Sequence, residues 1–250
     1  MMPAENLLAT QPELQPEARL VALAAPDSAA AEQYRVLFQR VLRLAERRPL
    51  RVLAVTSAGR REGRTTTAAN LALTAAREGR ATILVEADLR RPSLGRLIGF
   101  GPGPGVADVL AGRAALEEAI TRLGPLSVIL AGEAGDDPGA LLRGPGGPAL
   151  LDPLRAAHEL VVLDAPPALA FSDGDRLSGE ADAALLVVRA GTTPRHVVRL
   201  ALDALGDRAA GIVLNDVDPE AVAHGRWIWP GEGEEPAAEP AAAPAGVTAH

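Results

Sequence analysis

Residues Leu50–Thr67 read LRVLAVTSAGRREGRTTT. Leu50–Thr56 is an apolar run of strand length. Ser57–Gly63 is a glycine-bearing turn, and the residues from Thr65 to Glu78 form a helix-forming stretch. A strand, a glycine loop and a helix in that order fit either an ordinary strand-to-helix turn or a phosphate-binding loop, and the acids at the later strand ends favour the second. The loop turns its N–H groups inward at oxyanions, and the helix behind it adds its positive end. The pattern G-x-x-x-x-G-K-[ST] places Ala58 at the first glycine position, Gly63 at the second and Thr65 at the hydroxyl. Arg64 stands where the pattern has Lys. An ammonium is a compact point charge, whereas guanidinium is a bulkier planar fork that reaches phosphate from a different direction.

Outward from this stretch the chain alternates. Apolar runs recur at Ala81–Glu86, Leu126–Leu130, Leu160–Asp164, Ala183–Val188 and Gly211–Leu214, with helical segments such as Arg195–Leu205 between them. Several runs are apolar throughout, which marks strands covered on both faces. The expected fold class is therefore α/β, a doubly wound and mainly parallel sheet, with ligands at the carboxyl ends of the strands. A helix is expected after Asp27 and Ser28, with Tyr34, Leu37, Phe38, Val41 and Ala45 on one face. That apolar face predicts hydrophobic packing, on its own domain or on a partner.

Composition bounds the chemistry. Aromatics are 2% of the chain, so Leu, Val, Ile and Ala fill the core. With no Cys there is no disulfide, no thiolate zinc site and no Cys-ligated iron–sulfur cluster. A net charge of −7 speaks against a nucleic-acid coat. No stretch reaches the roughly 20 apolar residues of a spanning helix, and the acidic, Pro-interrupted N-terminus is unlike a signal peptide. A cytoplasmic protein is expected. Its organisation reads as a flexible tail over 1–18, a nucleotide-binding domain over 19–229 and a disordered acidic Pro/Ala tail over 230–250.

The strand ends carry acids. Glu86 and Asp88 stand at alternate positions after the second run and face the same way if extended. Asp164 closes the run LVVLD, as an acid does when it holds a Mg²⁺ shell beside a phosphate loop. These acids and Arg64 are the candidate catalytic residues. Thr65, Glu86 and Asp164 are the candidate metal ligands.

Taken together, EQYRVLFQRV (from Glu32), VTSAGRREGRTTTAANLALTAAREG (from Val55), ILVEADLRRPSL (from Ile83), LVVLDAPPALAFSD (from Leu160) and GIVLND (from Gly211) resemble the bacterial tyrosine kinases of capsule and exopolysaccharide synthesis. GVADVLAG at Gly105–Gly112 and VILAG at Val128–Gly132 add to the likeness. The resemblance implies a P-loop NTPase fold of the MinD/ParA type, ATP and Mg²⁺ as cofactors, and a membrane polysaccharide co-polymerase or adaptor as partner. It also implies homo-oligomers and peripheral attachment to the inner membrane through that partner; no nucleic-acid partner is expected, given the net charge. It implies a nucleotide cradle of Gly59, Arg60, Arg61, Glu62, Gly63, Arg64, Thr65 and Thr66, with Asn215 at the adenine.

This chain departs from the family pattern at Arg64, at Glu86 (Asp in the family) and at Phe38, where the subunit-contact motif that begins Glu32, Arg35 has Arg. Tyr34 is the single Tyr, so the family's Tyr cluster is missing. The reading that results is an ATP-binding regulator of polysaccharide synthesis or export with weak catalysis. An active protein-tyrosine kinase and a ParA/MinD-type positioning ATPase stand as alternatives.

Overall fold

In the computed structural model the described residues are 20–144, 146–169 and 176–217. The two tails expected at 1–18 and 230–250, and the domain's last stretch 218–229, lie outside them. From Leu20 to Asp216 the described residues belong to one compact unit.

The apolar runs form strands because each buries both faces. They are β1 (Val52–Ser57), β2 (Thr82–Glu86), β4 (Leu126–Ile129), β5 (Leu160–Asp164) and β6 (Ala183–Arg189). β3 (Ile120–Leu123) and β7 (Ala209–Asn215) complete a seven-stranded sheet in the order β3-β4-β2-β5-β1-β6-β7. Every pairing is parallel except β3 with β4. β3 was not expected from sequence: ITRL lacks an apolar run, and it survives as an edge strand folded back through the turn at Gly124.

Alternate residues of the strands feed two cores. Leu53, Val55, Leu84, Val162 and Leu185 face one helical layer, made of α1 (Val21–Ala24), α2 (Ala29–Arg47), α3 (Arg64–Arg77) and α4 (Leu94–Ile98). Val52, Ala54, Val85, Val161 and Leu186 face the other. That layer holds α5 (Val106–Leu110), α7 (Pro138–Arg143), α8 (Gly146–Ala157), α9 (Arg176–Gly179) and α10 (Arg195–Leu205). α6 (Leu116–Ala119) leads into β3. Helices on both sides of one mainly parallel sheet make the fold doubly wound, as the alternation of apolar runs requires.

α2 begins where its cap is. The Ser28 hydroxyl accepts from the Ala31 N–H, satisfying one of the orphan donors of the first turn. Phe38 and Val41 are buried in the core beneath the helix, so its apolar face packs on its own domain. Glu32 and Arg35 pair with each other at the surface.

Candidate functional site

The sheet places the loop after β1 in its interior, between β5 and β6, and the loop's shape comes from contacts on all sides. Thr56 donates to the Pro166 carbonyl (2.6 Å), tying β1 to the turn after β5. Ser57 donates to the Gly59 carbonyl (2.6 Å). Glu62 is folded inward: its carboxylate accepts from the Ala58 N–H (3.0 Å) and from the Thr193 hydroxyl (2.8 Å). Its carbonyl accepts from the Asn215 side-chain amide (2.9 Å). Arg60 and Arg61 are exposed, and the Thr66 carbonyl accepts from the Asn70 side chain.

Gly63 is required twice over. Its φ of 87° is left-handed, and a Cβ there would lie 2.0 Å from Asn215 Nδ2. Asn215, expected at an adenine, here braces the loop. α3 starts at Arg64, directly behind Gly63, so the helix N-terminus faces the loop.

The acids converge on Arg64. Its Nε donates to Asp164 (2.9 Å) and its Nη2 to Asp88 (2.9 Å), with all three side chains at least largely buried. The guanidinium fork thus bridges two carboxylates that follow β2 and close β5. Three formal charges leave this group one negative charge in excess. Asp164 shows the consequence: burial pushes its carboxyl up to about 6, against the lowering influence of Arg64 and the Thr65 hydroxyl beside it, with Glu86 adding to the rise.

Glu86 is nearby but spent. One oxygen accepts from the Ser93 and Leu94 N–H groups (2.5 and 2.6 Å), the other from the Ala131 N–H (3.0 Å). The carboxylate thereby caps α4 and anchors the turn after β4. Ser93 in turn stands 3.0 Å, hydroxyl to hydroxyl, from Thr65. Sequence reading did not single out Ser93 or Thr193. Ser93 had one usable signal, its place in ADLRRPSL close behind the acidic pair; Thr193 had none.

The structure therefore gathers Arg64, Thr65, Asp88 and Asp164, and places Glu86 behind them. The site fits a magnesium nucleotide in one respect that can be checked directly: Asp164 Oδ2 is buried and has no hydrogen-bond partner. Among the described residues no three or more His, Asp or Glu come together as a metal cage. Mg²⁺ at nucleotide sites needs no such cage, since phosphate oxygens and water complete its shell. Glu86 and Ser93 also wall an open cleft of about 840 Å³, along with Arg96, Phe100, Pro104 and Leu130.

A loop after β1 with a helix N-terminus behind it and acids at neighbouring strand ends define the P-loop NTPase fold class. No family model matches the chain. It is 30% identical over 201 residues to the tyrosine-protein kinase YwqD of Bacillus subtilis, covering 78% of this chain and 85% of YwqD. It is 32% identical over 176 residues to the succinoglycan biosynthesis transport protein ExoP of Rhizobium meliloti, covering 67% of this chain and 22% of ExoP. Among solved structures, the kinase domain of the Escherichia coli tyrosine kinase ETK superposes with a TM-score of 0.74 at 29% identity, covering 79% of this chain and 80% of that one. MinD of Pyrococcus horikoshii, solved with Mg-ADP, shares the fold at a TM-score of 0.56 and 23% identity, covering 70% of this chain and 76% of its own. The chain belongs to the bacterial tyrosine-kinase family, built on the MinD-type P-loop fold.

Proposed function

We propose that this protein binds ATP with Mg²⁺ and regulates exopolysaccharide or capsule synthesis or export through its nucleotide state, transferring phosphate slowly at most. The family and the relatives' names support a P-loop kinase relative of polysaccharide synthesis. Loop amides, the α3 N-terminus and Thr65 hold the phosphates and their metal, with Asp164 on the metal side. Asn215, whose amide braces the loop at the Glu62 carbonyl, also meets the base from the loop's edge. A membrane polysaccharide co-polymerase or adaptor is the partner that brings the protein to the inner membrane. No helix among the described residues is long and apolar enough to cross a membrane.

The observation that carries the reading is Arg64. Its guanidinium is bonded to Asp88 and Asp164 (2.9 Å each), so the charge needed on the transferring phosphoryl group is held by the acids instead. Transition-state charge is stabilised only by groups aimed where it develops. The test is Mg²⁺-dependent ATP turnover by the unmodified protein and by Arg64→Lys. The unmodified protein should turn over far below about 1 s⁻¹, and Arg64→Lys should raise the rate. Turnover near 1 s⁻¹, the lower end of kinase rates, would replace this reading with that of an active tyrosine kinase. One feature favours that second reading: the open cleft walled by Glu86 and Ser93 has room for an acceptor side chain.

A further inference from the structure

We propose that Ser93 supplies a protein oxygen to the Mg²⁺ shell of the bound nucleotide, in the place that the acidic pair assigns to Glu86. This rests on the nucleotide-binding reading above. The starting point is the length of Glu86. With one methylene more than Asp, its carboxylate reaches past the site and bonds three backbone N–H groups, of Ser93, Leu94 and Ala131. A carboxylate with both oxygens so engaged has lost much of its capacity to bind a cation.

The same contacts release Ser93. It is the N-cap residue of α4, a position whose hydroxyl ordinarily bonds the first-turn N–H groups. Here its side chain makes no capping bond, because Glu86 performs that task from outside the helix. The freed hydroxyl turns to Thr65 Oγ1 at 3.0 Å. Octahedral Mg²⁺ holds its oxygens at about 2.0–2.1 Å, so neighbouring ligands lie roughly 2.9 Å apart. The two hydroxyls, hydrogen-bonded to each other here, already have the spacing of two adjacent corners of that shell. Asp164 supplies the third oxygen, since Oδ2 is buried without a partner while Oδ1 is occupied by Arg64. Hydroxyl ligands keep their protons, so Ser93 adds no charge to a cluster that already carries an excess negative one.

The test is calorimetric titration with ADP, with and without Mg²⁺, beside thermal melts of the same proteins. In the unmodified protein Mg²⁺ should tighten ADP binding. Ser93→Ala should lose about tenfold of that gain, in the range seen when metal-site partners are removed, while metal-free ADP affinity and melting temperature hold. Because the chain has no Cys, Ser93→Cys introduces a single thiol. A thiol favours soft ions, so Cd²⁺ should restore the lost ADP affinity in Ser93→Cys and not in Ser93→Ala. A full Mg²⁺ gain in Ser93→Ala, or Cd²⁺ failing to restore ADP affinity in a folded Ser93→Cys, overturns the assignment and leaves nucleotide binding intact. An unmodified protein that binds ADP with no Mg²⁺ gain does the same. Failure of the unmodified protein to bind ADP under any condition removes both.

Discussion

A carboxyl group that burial pushes up to about 6 makes the fold sensitive to pH in an unusual direction. Asp164 is wholly inaccessible, and the charged groups that act on it are Arg64, which lowers its pKa, and Glu86, which raises it. Its folded pKa lies above the ordinary value near 3.8, so the folded state holds its proton more tightly. The stability this contributes is full below about pH 4 and is lost as pH rises through about 6. A shift of about two units corresponds to at most about 3 kcal/mol. Unfolding free energies of the unmodified protein and Asp164→Asn, measured by denaturant between pH 4 and 7.5, should diverge by up to that amount across the window. Parallel curves would refute it. Other carboxylates, such as Asp108 with its lowered pKa, act equally in both proteins and cancel. Asp164 was legible in the sequence because an acid ending an apolar run has few other places to go. The partners of Arg64 were not, because residue spacing puts a guanidinium at a position and says nothing of its direction.

At the scale of the element, α2 shows how far periodicity carries. The stripe Tyr34, Leu37, Phe38, Val41 predicted an apolar face, and Phe38 and Val41 are indeed buried, at 1% and 4% exposure. Periodicity left open what that face meets; the answer is the α3 side of the sheet, within the same domain. Ala45, also on the stripe, is exposed, and Leu42 and Leu44 pack against the core beside it instead. Phe38→Ala should therefore cost about 3–5 kcal/mol of unfolding free energy, the usual range for emptying an aromatic core position. Its sedimentation should stay that of the unmodified protein. A cost below about 1 kcal/mol, or dissociation of an assembly with stability unchanged, would place the helix at a partner surface instead. β3 and the capping of α4 by Glu86 escaped the sequence for a common reason. Each is made by a near neighbour along the chain, β4 across the turn at Gly124 for the strand and Glu86 seven and eight residues ahead for the cap, and neither carries an apolar run to mark it.

For the molecule as a whole, the sheet order was legible only in part: the apolar runs announced a parallel sheet, while the antiparallel edge did not show. The site at the sheet's centre links ligand to global stability. Binding confined to the folded state at 100 times the dissociation constant adds about 2.7 kcal/mol. In a domain of this size 1 kcal/mol moves the melting temperature by about 2–4 °C. Saturating Mg²⁺–ADP should then raise it by roughly 5–11 °C, and no shift at millimolar concentration would argue against nucleotide binding. The contacts that shape the loop carry one more consequence. Thr193 and Asn215 reach Glu62 from 131 and 153 positions further along the chain. On a ribosome adding about 5–20 residues per second, the loop is made roughly 8–30 s before the strand that braces it. A nascent chain holds its phosphate loop unfinished until nearly the whole domain has been translated.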